Sequence, residues 1–180
     1  MSAMRFSVER DMPRDAPRPC PAVIRPARRS DVDGIALLWQ EMMALHFDLD
    51  SRFRFVADAP TAYARHIRRS MSSRRAHVAV AEASGRIVGY VLAELHERPP
   101  IYPVGIYSFI SDLCVEPSQR QRGIGRALFR AAWRWALSCG VTAVELYAAE
   151  RNPTAFAFWQ AMGFSPYLRL MRREAEDPPT

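Results

Sequence analysis

The stretch "DLCVEPSQRQRGIGRALFRAAWRWA" (112–136) passes from an apolar strand through a short basic loop into a helical pattern. Gly123 and Gly125 fall where the backbone must turn sharply or come close to something else. A helix that starts there leaves about four N–H groups without intrahelical partners, and its macrodipole places roughly half a positive charge at that end. Arg120, Arg122 and Arg126 add full charges around the same point. Together these features suit a diphosphate. Two familiar phosphate loops are excluded. GxGxxG fails because Leu128 stands where its third glycine is needed, and GxxxxGK(S/T) fails because the chain has no lysine.

The absence of lysine also bears on the net charge of +6, because all 25 basic residues are arginine. Seven of them precede position 30, several in a proline-rich leader, and the rest are scattered as solvated side chains. A nucleic-acid partner rests on charge alone, since no helix-turn-helix, zinc or RNA-binding signature accompanies it. No apolar run approaches the roughly 20 residues that span a bilayer, and "MSAMRFSVERDMPRDAPRPCPAV" (1–23) lacks a signal peptide's apolar segment. The expectation is a cytoplasmic protein with neither nucleic acid nor membrane as partner. Cys20, Cys114 and Cys139 show no metal-ligand spacing, and His46, His66, His77 and His96 form no metal-like set. No metal is expected.

Outward from the loop, 180 residues suffice for one domain with a sizeable core. Residues 1–21 read as a disordered Pro/Arg-rich tail, 22–173 as the domain and 174–180 as a flexible C-terminus. "AVIRPA" (22–27) is a short strand, and Ser30 with Asp33 forms an N-cap pair for a helix over 31–48. A second helix covers 59–72, with Tyr63, Ile67 and Met71 on one face. "HVAVAEASGRIVGYVLAEL" (77–95) is a hairpin turning at Ser84-Gly85, and "HERPPIYPVG" (96–105) is a loop. "IYSFISDLCVE" (106–116) is a strand, followed by the opening helix, a strand over 142–149, a helix over 152–163 and a last strand over 164–173. The order predicts a mixed α/β sheet with helices on both faces.

"DLCVEPSQRQRGIGRAL" resembles the acyl-CoA-binding motif of the GNAT superfamily of N-acetyltransferases, whose core is Arg/Gln-x-x-Gly-x-Gly/Ala, here Arg120 to Gly125. "NPTAFAFWQAMGF" (152–164) is similar to a second segment of that family, at the expected distance. The resemblance covers about residues 22–173. It implies a mostly antiparallel sheet of six to seven strands, with a splay between two central parallel strands. It also implies acetyl-CoA as co-substrate. N–H groups of Gln121, Arg122, Gly123, Ile124, Gly125 and Arg126, with Arg120 beside them, would hold the pyrophosphate. The pantetheine arm would run along Leu113, Cys114 and Val115, through a bulged strand. Asn152 would approach the arm, and Ala155, Phe158 and Trp159 would line its path.

The implied reaction is acetyl transfer to a primary amine, small or peptidic, by direct attack in a ternary complex. The Leu113 N–H would face the thioester oxygen. An alkylamine has a pKa of about 10.4, so a carboxylate must help remove its proton, directly or through water. Asp112 and Glu94 are the candidate bases, with Glu145 behind them; a glutamate used by some relatives is replaced here by Phe109 or Ser111. Many relatives have a tyrosine as acid where this chain has Trp159. Tyr147 or Tyr167 would then serve, or the thiol would leave as thiolate. A non-catalytic acyl-CoA-binding module is the alternative, and a homodimer is left open.

Overall fold

The computed structural model describes residues 21–173. The tail read over 1–21 lies, but for Pro21, outside the described residues, as does the segment 174–180. The chain forms β1 (Val23–Pro26), α1 (Val32–Leu49), α2 (Ala59–Met71), β2 (Ala76–Ala83), β3 (Arg86–Glu97), β4 (Ile106–Val115), α3 (Ile124–Ser138), β5 (Val144–Leu146) and α4 (Pro153–Ala161). The five strands lie in sequence order in one sheet, antiparallel from β1 to β4 and parallel between β4 and β5.

Two cores follow from the period-2 alternation of the strands. Val78, Val80, Tyr90, Leu92 and Cys114 face α1 and α2, meeting Ile35, Leu38 and Ile67. Ala79, Ala81, Val91, Ala93 and Ile110 face α3, meeting Ile124, Leu128, Phe129 and Ala132. Helices on both faces are thus as the sequence predicts. Ser84 and Gly85 turn the hairpin with both φ values positive, 51° and 72°, the pattern a type I′ turn needs.

Three expectations are corrected. Among the described residues the sheet has five strands, because residues 164–173 form none. Pro166 offers no N–H to a ladder, and β5 presents only three residues to pair with. Tyr167, Leu168, Leu170 and Met171 are consequently exposed. The parallel pair is therefore at the sheet's edge rather than its centre. The start of α1 also differs from the expected Ser30/Asp33 cap. Asp31 occupies the N-cap position, and its carboxylate accepts from the Arg28 N–H (2.6 Å) and from the Arg25 guanidinium (2.6 and 3.0 Å). Arg25 also donates to Glu82 on β2, so this one guanidinium ties β1 to β2 and to the start of α1.

Those bonds from Arg25, then Arg28, hold the Asp31 carboxyl below the ordinary carboxylate range despite its burial. A depressed folded pKa contributes stability above the unfolded value of about 3.9, and that stability is lost as pH falls through the folded value. Asp31→Asn should destabilise the fold by about 3 kcal/mol at pH 7, the lower end for a broken buried pair because Arg25 keeps Glu82. Urea unfolding checks this, and the gap between the two proteins should narrow below about pH 4.

Candidate active site

The site grows out of the end of β4. Its pairing with β3 runs Leu92↔Asp112 and then Ala93↔Ile110, so Ser111 is an extra residue, a β-bulge. On its other side β4 pairs with β5 only over Ser108–Ile110 and Val144–Leu146. Beyond the bulge the two strands part, and a wedge opens between them. The Glu116 N–H donates to Val88 O across to β3 (2.9 Å). Strand alternation therefore turns the main-chain groups of Val115 and Leu113 the other way, into the wedge. Arg120 reaches this side, its Nε donating to Val115 O at 3.0 Å.

At the mouth of the wedge α3 begins. Gly123 is its N-cap at φ 81°, and Gln121 before it is also left-handed at φ 61°. The first ladder bond runs from the Ala127 N–H to Gly123 O, so the N–H groups of Ile124 and Gly125 precede the ladder. A Cβ on Gly125 would come within 3.2 Å of the Phe158 ring, so this glycine lets α4 close against the first turn of α3. Asn152 caps α4, its Oδ1 accepting from the Ala155 N–H at 3.0 Å. Trp159 sits among Phe129, Phe158 and Phe164, with ring centroids 4.8–6.0 Å apart, which makes it a packing residue.

One continuous cleft brings most of the expected residues together: Leu113, Cys114, Val115, Arg120, Gln121, Gly123, Gly125, Arg126, Asn152, Ala155, Phe158 and Trp159 line it, with Asp112. Arg122 is exposed outside that lining, and the Ile124 side chain anchors the core instead. The Cys114 thiol, bonded to Leu38 O, is pushed up to about 12 by burial, which makes it inert packing. Glu94 does not line the cleft, and its carboxylate accepts from the Ser111 hydroxyl at 2.7 Å. Glu145 is ion-paired with Arg98. Tyr147 and Tyr167 line the cleft and are largely exposed. His96 stacks on Phe109.

Asp112 is different. Its Oδ2 accepts from the Tyr63 hydroxyl at 2.8 Å, and the Tyr63 and Tyr90 hydroxyls are 3.0 Å apart. Tyr63 has one proton to give and the carboxylate is the stronger acceptor, so the chain runs Tyr90 to Tyr63 to Asp112. Among the described residues no buried side-chain oxygen lacks a partner. Oδ1, for which no bond is seen, is therefore not fully buried, and Asp112 is among the residues that line the cleft. Burial raises the Asp112 pKa, with the Tyr63 bond acting against it. Sequence reasoning did not single out Tyr63 and Tyr90. The available signal was a tyrosine on the buried face of α2, since a buried phenol requires a partner.

A bulged strand, a parallel neighbour that diverges from it and a glycine-started helix at the mouth together define a site for an extended, anion-headed ligand. The chain belongs to the acetyltransferase (GNAT) family, whose model matches residues 39–164. It is similar to the mycothiol acetyltransferase of Thermomonospora curvata, with 31% identity over 49% of this chain and 27% of that one. The chain spans less than half the length of the first curated relatives it matches. Among solved structures, the BH1408 protein from Bacillus halodurans aligns with a TM-score of 0.77 and 25% identity, over 86% of this chain and 99% of that one. The aminoglycoside N-acetyltransferase AAC(6')-Iy, solved with CoA, shares the fold with a TM-score of 0.69 at 20% identity, over 89% and 99%. Among the described residues no group of three or more His, Cys, Asp or Glu side chains could hold a metal, and no helix is long and apolar enough to cross a membrane.

Proposed function

We propose that the protein is an acetyl-CoA-dependent N-acetyltransferase that moves the acetyl group to a primary amine within a ternary complex. The observation that carries this reading is the wedge: strand main chain turned into an open slot, with a helix N-terminus at one end and a positioned carboxylate at the other. N–H groups from Gln121 to Arg126 hold the diphosphate, and Arg120 and Arg126 add charge there. Leu113 and Val115 bond the pantetheine arm as a further strand would. Asn152 has given Oδ1 to its own helix, so its Nδ2 is the group for the arm, while Ala155 and Phe158 wall the path.

Asp112 Oδ1 takes a proton from the acceptor's ammonium group. The neutral nitrogen then bonds the acyl carbon, and the Leu113 N–H donates to the oxygen as it gains charge. Breaking the carbon–sulfur bond releases a thiolate, tolerable with thiol pKa values near 8.5, and the surplus proton on the new amide nitrogen passes to that thiolate or to solvent, leaving neutral amide and CoA. Holding both reactants in one slot supplies much of the rate, since effective molarities reach about 10⁵ M or more.

The test is steady-state CoA release from acetyl-CoA over a library of small and peptide amines. Amine-dependent release is expected. Tight acetyl-CoA binding with no release on any amine would replace the enzyme with an acyl-CoA-binding module.

A further inference from the structure

We infer that the acceptor end of the cleft selects a monoamine carrying an apolar body and disfavours polycationic amines. The inference rests on the N-acetyltransferase reading and concerns a feature of the slot that the reaction itself does not require.

The carboxylates lining the cleft are Asp50, Asp112, Glu145 and Glu150. Asp50 is held by Arg52 at 2.5 Å, Glu145 by Arg98, and Glu150 by Arg169 at 3.3 Å. Among the described carboxylates that line the cleft, Asp112 is the one with no arginine ion pair, and its second oxygen answers one ammonium group. Arginines at 120, 126, 130, 134 and 172 also line the cleft. Such a wall attracts a polyanionic co-substrate, and with the other lining carboxylates already ion-paired it offers no anionic partner to a second or third ammonium group on the acceptor.

Away from the groups that face Asp112, the cleft lining carries apolar side chains: Met43, Leu49 and Phe53, with His46, from the α1 side, and Tyr102 and Val104 from the proline-rich loop. His46 stacks on Phe53 with centroids 5.2 Å apart, and burial lowers its pKa, so the ring is neutral at pH 7. Phe53, Tyr102 and Val104 keep a third or more of their surface exposed. Covering that surface with a ligand's apolar body returns about 25 cal/mol per Å². A carboxylate floor, apolar walls and paired outer charges therefore match an ammonium head on a hydrocarbon or aromatic body.

The experiment compares kcat/KM at saturating acetyl-CoA for 2-phenylethylamine and hexylamine with that for spermidine and sisomicin. The monoamines should lead by about tenfold or more, the discrimination a few apolar contacts supply. Phe53→Glu should cut that lead by about fivefold or more with the acetyl-CoA KM unchanged. Equal or higher kcat/KM for the polycations overturns the inference. If no amine releases CoA, the catalytic reading fails separately, and calorimetric titration of the same amines into the acetyl-CoA complex decides. Phenylethylamine binding about tenfold tighter than spermidine supports the inference; equal or absent binding overturns it.

Discussion

Asp112→Asn should lower kcat for amine acetylation by about 10²–10³-fold, the range for removing a positioned general base. The KM for acetyl-CoA should hardly change. Asparagine has the shape of aspartate and still accepts from the Tyr63 hydroxyl, so the substitution removes only the capacity to take a proton. Stability provides the control. Burial raises the folded pKa of Asp112, so the ionised carboxylate costs stability that grows as pH rises through that value. The variant should therefore unfold at a midpoint no lower than the parent's at pH 8.

The same geometry fixes a pH dependence. A base must be ionised, so kcat should rise with pH through the raised pKa of Asp112. The groups facing that carboxylate are Tyr63 and His66 from α2 and Tyr90 and Glu94 from β3. Tyr63 and His66 favour the ionised form and Glu94 opposes it. Tyr63→Phe deletes the strongest favourable contact and should move the acid limb of the kcat profile to higher pH. A purely structural role for Tyr63 would lower activity without moving that limb.

Gly123→Glu should weaken CoA binding by about 10²-fold or more, measured by calorimetric titration with CoA. Gly123 has φ 81°, and a side chain there costs about 1–2 kcal/mol. A free loop that relaxes out of this conformation must take up that strain again to bind CoA, a loss of up to about tenfold that Gly123→Ala should reproduce. The rest comes from a carboxylate placed against a diphosphate at the helix end, where the macrodipole otherwise favours the anion. Unchanged affinity in Gly123→Glu would remove the loop from the binding site.

Much of this architecture was legible because it is written in local chemistry. The Ser84-Gly85 turn, the α1 and α2 apolar faces and the α3 glycine start each follow from a few adjacent residues. What escaped depends on residues distant in sequence. β5 is expected over 142–149, but only Val144–Leu146 pair, because the partner strand bends away at a bulge more than thirty residues earlier. Asn152 reads as a ligand contact because the motif contains it, yet its carbonyl oxygen caps α4. Asp112 was a candidate among several carboxylates. Glu145 is set aside by its bond to Arg98, and Glu94, which does not itself line the cleft, by its bond from Ser111. Those partnerships join positions 17 to 49 residues apart, which no pattern in one segment can display.

The extra residue at Ser111 has a consequence for how β4 can vary. Before it, the strand is zipped to neighbours on both edges; after it, one edge is released. A proton acceptor and a main-chain donor can then be consecutive residues, Asp112 reaching toward α2 while the Leu113 amide faces the slot. Position along this strand works as a count. Side chains on either side of the bulge can be exchanged one for another, but deleting Ser111 would leave Ile110 and Asp112 as consecutive partners of Ala93 and Leu92, restore the unbroken ladder and remove the bend at which β4 leaves β5.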